Sequence, residues 1–100
     1  MHAYVYILRC ADGRYYVGSV RGSLERRVAE HNHAAFNGWT ASRRPVELVF
    51  WQAFERIEDA IAAERQIKRW RRAKKEALIR GEFDRLPELA RSQSKSRNEQ

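Results

Sequence analysis

Two runs of β-branched and aromatic residues, Tyr4-Val5-Tyr6-Ile7-Leu8-Arg9-Cys10 and Tyr15-Tyr16-Val17-Gly18-Ser19-Val20, flank the turn signal Ala11-Asp12-Gly13. That pattern commits the start of the chain to a β-hairpin. Loop length then decides which side chains share a face. A two-residue Asp12-Gly13 loop pairs Tyr6 with Ser19, whereas a three-residue loop with Gly13 in the left-handed region pairs Tyr6 with Gly18. The three-residue loop is the preferred reading. It sets Tyr4, Tyr6, Leu8, Tyr16, Gly18 and Val20 on one face, where Gly18, having no side chain, leaves space opposite Tyr6.

Beyond the hairpin the periodicity changes. Ser23 is a natural N-cap, and residues from Leu24 to about Asn32 read as a helix with Glu25 in its first turn and Leu24, Val28 and His31 on its inward stripe. Residues 33–45 show no period and end in Arg43-Arg44-Pro45, a long surface loop of the length that tends to carry function. Val46 to Phe54 alternate and form a third strand. From Ile57 to about Trp70 the period is helical, and a second helical stretch, Ala73 to Arg80, stops at Gly81. Phe83, Leu86 and Leu89 suggest a short last helix. The expected architecture is α/β (α+β), a three-stranded antiparallel sheet flanked by helices, occupying residues 1–90 as a single domain. Residues 91–100 contain no aromatic or branched aliphatic side chain and are expected to be a disordered basic tail.

Composition narrows the function. No apolar run reaches the roughly 18 residues of a membrane span, and the first residues lack the pattern of a secretory signal, so the cytoplasm is the expected compartment. Cys10 is the single cysteine and is read as a small core residue; with three scattered histidines it offers none of the paired spacings of a zinc site. The formal net charge of +7 favours a polyanionic partner, because each cation placed on a phosphate releases condensed counterions.

Three groups of residues break their local patterns. Glu64 projects among Ile57, Ala60, Ile61 and Ile67, inside the apolar stripe of its helix. A carboxylate there is either one half of a buried ion pair or a metal ligand or acid-base group facing a cleft. Arg27 and His31 lie four residues apart and both border the Leu24 and Val28 stripe, either as a snorkelling surface pair or as groups converging on one spot. Tyr6 and Tyr16 share a sheet face, which is also what ordinary cross-strand packing produces.

In chain order these residues resemble the GIY-YIG nuclease superfamily. Tyr4-Val5-Tyr6 and Tyr16-Val17-Gly18 stand at its two name-giving triplets. Leu24-Glu25-Arg26-Arg27 followed by His31-Asn32 looks like the family's helix with its active-site arginine, and Glu64-Arg65-Gln66-Ile67-Lys68 looks like the helix with its metal-binding glutamate. The resemblance covers about residues 3–80 and is strongest to small stand-alone bacterial members with little beyond the catalytic domain. It implies that Tyr6 and Tyr16 surround the attacking water, that Arg27 and His31 hold the scissile phosphate, and that Glu64 anchors one divalent cation, Mg2+ or Mn2+. Tyr6 is the first choice for the base. The first triplet departs from Gly-Ile-Tyr but keeps its third position. Ser19 stands where many relatives carry a lysine, the interval from Gly18 to Leu24 looks one residue longer, and no asparagine follows Glu64 until Asn98.

From Arg65 to Lys75 there are seven cationic side chains and no acidic one, with Trp70 among them, a composition suited to a phosphate backbone. Lys68, Arg71, Arg72 and Lys75 are the candidate contacts there, and Arg43 and Arg44, with Trp39, are candidates in the long loop. The function expected is a metal-dependent DNA endonuclease that leaves 5′-phosphate and 3′-hydroxyl ends. Branched, flapped or nicked DNA in repair or recombination is the finer expectation, and RNA stays open. Two rivals remain: a non-catalytic nucleic-acid-binding module that retains the nuclease fold, and a protein-partner domain whose charge serves solubility.

Overall fold

A computed structural model describes residues 2–33 and 40–82. Its elements run β1 (Ala3–Arg9), β2 (Tyr15–Arg21), α1 (Leu24–Asn32), β3 (Glu47–Phe54), α2 (Ile57–Lys68) and α3 (Arg72–Ile79). The three strands form one antiparallel sheet in the order β2-β1-β3, so the described residues have the expected α+β architecture. The suggested helix around Phe83, Leu86 and Leu89, the tail, and Trp39 lie outside the described residues.

The hairpin closes through the three-residue loop. Cys10 N–H donates to the Arg14 carbonyl at 2.8 Å, Gly13 N–H donates to the Cys10 carbonyl at 2.9 Å, and Gly13 sits at φ 86°, which an L side chain rarely adopts. Tyr6 accordingly faces Gly18, with Tyr4 opposite Val20 and Leu8 opposite Tyr16. On the other side of β1, Tyr6 pairs with Trp51, and a bulge between Ile7 and Leu8 leaves Val49 as the extra residue of β3. β1 is therefore the central strand. Side chains on both of its faces are buried, Tyr6 and Leu8 on one and Ala3, Val5 and Ile7 on the other.

Among the described residues, those up to Arg65 form one packing unit and those from Gln66 onward a second. In the first unit, α1 lies over the Tyr6 face. Leu24 and Val28 pack against a cluster of Tyr6, Leu8, Cys10, Val20 and Val46, with Tyr4, Tyr16 and Leu48 at its edge. Cys10 is a buried free thiol, as its type suggested. In the second unit, Ile67, Lys74, Ala77 and Leu78 are buried, and the Lys74 ammonium sits 3.9 Å above the centre of the Trp70 ring.

Three boundaries differ from the sequence reading, each for a local reason. β3 begins at Glu47 rather than Val46, because the Val46 N–H and carbonyl are taken by the Asn32 side-chain amide at 2.7 and 3.0 Å. α2 ends at Lys68 rather than near Trp70, since Arg69 and Trp70 donate to the carbonyls three residues back, a tighter terminal turn. α3 runs from Arg72 to Ile79, one residue earlier at each end than expected.

Candidate active site

The site grows out of the close approach of β2 to Tyr6. A Cβ on Gly18 would stand 2.6 Å from the Tyr6 hydroxyl oxygen and 2.7 Å from Cζ, so the bare backbone is what admits the phenol. Tyr16, two residues earlier on the same face, brings its ring centre to 6.3 Å from that of Tyr6. α1 completes the wall. Ser23 caps it by accepting from Arg26 N–H at 3.0 Å, and the Leu24 and Val28 anchors turn Arg27 and His31 toward the phenols.

His31 is buried and held at both nitrogens. Its Nε2 lies 3.3 Å from the Tyr6 hydroxyl, and its Nδ1 lies 2.8 Å from Oγ1 of the buried Thr40. The Tyr16 ring centre is 5.1 Å from the imidazole centre. Arg27, half-buried, approaches Glu30 with Nε at 3.4 Å from Oε1. Glu64, half-buried on α2, accepts a hydrogen bond from Ser19 Oγ at 2.5 Å. The carboxylate in the α2 stripe thus meets a hydroxyl of β2.

The electrostatics set these groups apart. Burial raises Tyr6 to about 12, the neighbouring Tyr16 adds to the rise, and Glu64 adds further, while an Arg27 hydrogen bond and the Arg27 charge pull the other way. Burial also lowers His31, with the Arg27 charge acting in the same sense and Glu30 opposing, which favours a neutral imidazole. A neutral imidazole can accept a proton; a buried phenol at about 12 holds its own.

The structure brings together Tyr6, Tyr16, Arg27 and His31, and the charge of Glu64 reaches the same phenol. The loop arginines are engaged locally. Arg43 Nε donates to Asp12 at 3.1 Å, and Arg44 donates to the Ala41 carbonyl at 2.8 Å and the Asn32 carbonyl at 3.5 Å. Lys68, Arg71, Arg72 and Lys75 belong to the second unit, where Arg72 Nε donates to Glu76 at 2.9 Å and burial lowers Lys75. Sequence reasoning missed Thr40, which stands in a segment without period and offers no pattern to find it. Ser19 drew notice only as a departure, with no sign of its bond to Glu64.

The described residues contain no cluster of three or more His, Cys, Asp and Glu side chains able to enclose an ion. The Glu64 carboxylate is a hard oxygen donor of the kind that Mg2+ or Mn2+ takes, cations that keep much of their coordination in water.

Residues 2–77 match the model of the GIY-YIG catalytic domain, so the chain belongs to that nuclease family. Membership makes nucleic acid the general substrate class. The chain is 40% identical over 83 residues to a UPF0213 protein of Streptococcus pneumoniae, covering 83% of each. It is 44% identical over 79 residues to a UPF0213 protein of Natronomonas pharaonis, covering 79% of this chain and 92% of that one. The solution NMR structure of the UPF0213 protein BH0048 from Bacillus halodurans superimposes with a TM-score of 0.51 at 38% identity, over 79% of this chain and 83% of that one. No helix among the described residues is long and apolar enough to cross a membrane.

Proposed function

We propose that the protein is a divalent-metal-dependent endonuclease that hydrolyses DNA phosphodiester bonds, leaving 5′-phosphate and 3′-hydroxyl ends. The observation that supports this reading most directly is the fully buried Tyr6 hydroxyl, 3.3 Å from His31 Nε2 and under the influence of Arg27 and Glu64 together. A tyrosine kept for packing needs one hydrogen-bond partner. This one sits among an imidazole, a guanidinium and a carboxylate, the groups that phosphodiester hydrolysis requires.

The substrate is already anionic, so the protein must neutralise phosphate oxygens, hold a water in line and stabilise the departing alkoxide. Arg27 holds the scissile phosphate by charge and hydrogen bonds. Tyr6 and Tyr16 border the water. In the tautomer with the His31 proton on Nδ1, facing Thr40, Nε2 accepts from the Tyr6 hydroxyl. A proton passing from the water to the Tyr6 oxygen, as the phenol proton moves to Nε2, leaves hydroxide for attack and no free phenolate. That matters because ionising a phenol at about 12 in a pH 7 solution costs about 7 kcal/mol. Glu64 would hold Mg2+ or Mn2+, which supplies positive charge to the phosphate oxygens and the leaving group.

DNA contact beyond the scissile phosphate is assigned to Lys68, Arg71, Arg72 and Lys75, which follow Glu64 along the chain, and to Arg43 and Arg44. A panel of labelled flaps, junctions, nicked duplexes and single strands, DNA and RNA, incubated with and without Mn2+, tests the reading. Metal-dependent cutting of a DNA member supports it. Binding of every member with no cutting under either condition overturns it in favour of a non-catalytic binding module.

A further inference from the structure

Ser19 occupies a strand position whose backbone is held by pairing with Val5, between Gly18 and Val20 of β2. Its hydroxyl therefore has a fixed origin. Glu64 stands on a helix, 45 residues along the chain, and its carboxylate ends a side chain whose last torsion is broad and two-fold. A hydroxyl donating to Oε1 at 2.5 Å ties that carboxylate oxygen to a fixed point on β2. We propose that Ser19 is a positioning residue, whose hydroxyl holds the Glu64 carboxylate in the orientation in which it binds the divalent cation.

The proposal rests on the reading of Glu64 as the cation's ligand and deepens it. A neutral donor is the chemistry that suits the task. The lysine that many relatives carry at this place brings a full positive charge, whereas the Ser19 hydroxyl donates to the carboxylate with no charge of its own. The hydroxyl orients without compensating the charge. Partners of this kind, which hold a ligand by hydrogen bonding its other face, govern metal affinity without touching the metal.

The test uses the full-length, nitrogen-15-labelled chain and Mn2+ alone, with no DNA present. Mn2+ broadens nearby amide signals, so the concentration that halves the signals of residues 62–66 reads affinity at Glu64 directly. Ser19→Ala should raise that concentration about tenfold. Ser19→Thr, which keeps the hydroxyl and suits a strand, should stay near wild type, and Ser19→Cys, isosteric but a weak donor, should resemble Ser19→Ala. Glu64→Gln should abolish the broadening. Should Ser19→Ala fail to fold, the contrast between Cys and Thr decides. Equal Mn2+ response in wild type and the Ala or Cys variant, with Glu64→Gln silent, overturns the role of Ser19 while leaving that of Glu64 intact. Undiminished broadening in Glu64→Gln overturns the reading of Glu64 and this proposal with it.

Discussion

Tyr6 combines full burial with a hydroxyl bonded to a histidine, and its proton affinity follows from both. Because folding raises it from 10.0 to about 12, the unfolded chain gives up this proton first. Its contribution to stability is intact below pH 10 and is lost as pH climbs through 12, by about 2 to 3 kcal/mol. Lysines and the other tyrosines titrate in the same window, so the quantity to measure is the difference between wild type and Tyr6→Phe in denaturant melts from pH 9 to 12. A difference that does not change over that range contradicts the burial argument. At Glu64 the prediction concerns turnover. Replacement by Gln keeps size but removes the charge, so cleavage should fall by several orders of magnitude while DNA binding survives. Tyr6→Phe should be similarly slow, and the double variant scarcely slower than the worse single one, since groups serving one step are strongly non-additive. Glu64 is half-buried, so Glu64→Gln should cost well under the roughly 3 kcal/mol that follows from breaking a fully buried ion pair. Early melting with full cleavage would place Glu64 in the scaffold instead.

At the scale of elements, the hairpin and α1 build the site by bringing fixed backbones close. Gly18→Ala adds a methyl 2.6 Å from the hydroxyl of a fully buried phenol, so it should destabilise by about 1 to 3 kcal/mol and displace the Tyr6 hydroxyl from His31. A thermal melt gives the first effect, and the ring signals of His31 give the second. Thr40→Val removes one atom's worth of polarity from behind His31 Nδ1 and should cost a further about 1 to 3 kcal/mol, the penalty of a buried nitrogen left without its partner. Unchanged stability would mean that Nδ1 finds another partner. The register, the Ser23 cap and the α1 stripe were legible because turn chemistry and periodicity are local. Thr40 and the amide of Asn32, which bonds both backbone groups of Val46, were not, because single polar residues in a loop have no period.

Across the molecule, charge dominates what lies outside the site. A formal +7, with the Arg65 to Lys75 run carrying seven cations, predicts that log affinity for DNA falls by about five or six units per decade of salt if about that many phosphates are engaged. Neutralising Lys68, Arg71 and Lys75 should weaken binding to all sequences alike and flatten that slope by about one unit for each phosphate no longer engaged, because cations on the backbone carry no base information. Weakening confined to one sequence would argue against backbone binding. By itself the sequence determined the hairpin and its register and the order and type of the described elements, since turn propensity and periodicity are written locally. Tertiary structure alone decided that β1 is central, that His31 is clamped between Tyr6 and Thr40, and that the carboxylate in the α2 stripe meets Ser19 of β2. Each of those joins elements distant along the chain, where proximity depends on the closed sheet and its cover, and no local pattern encodes it.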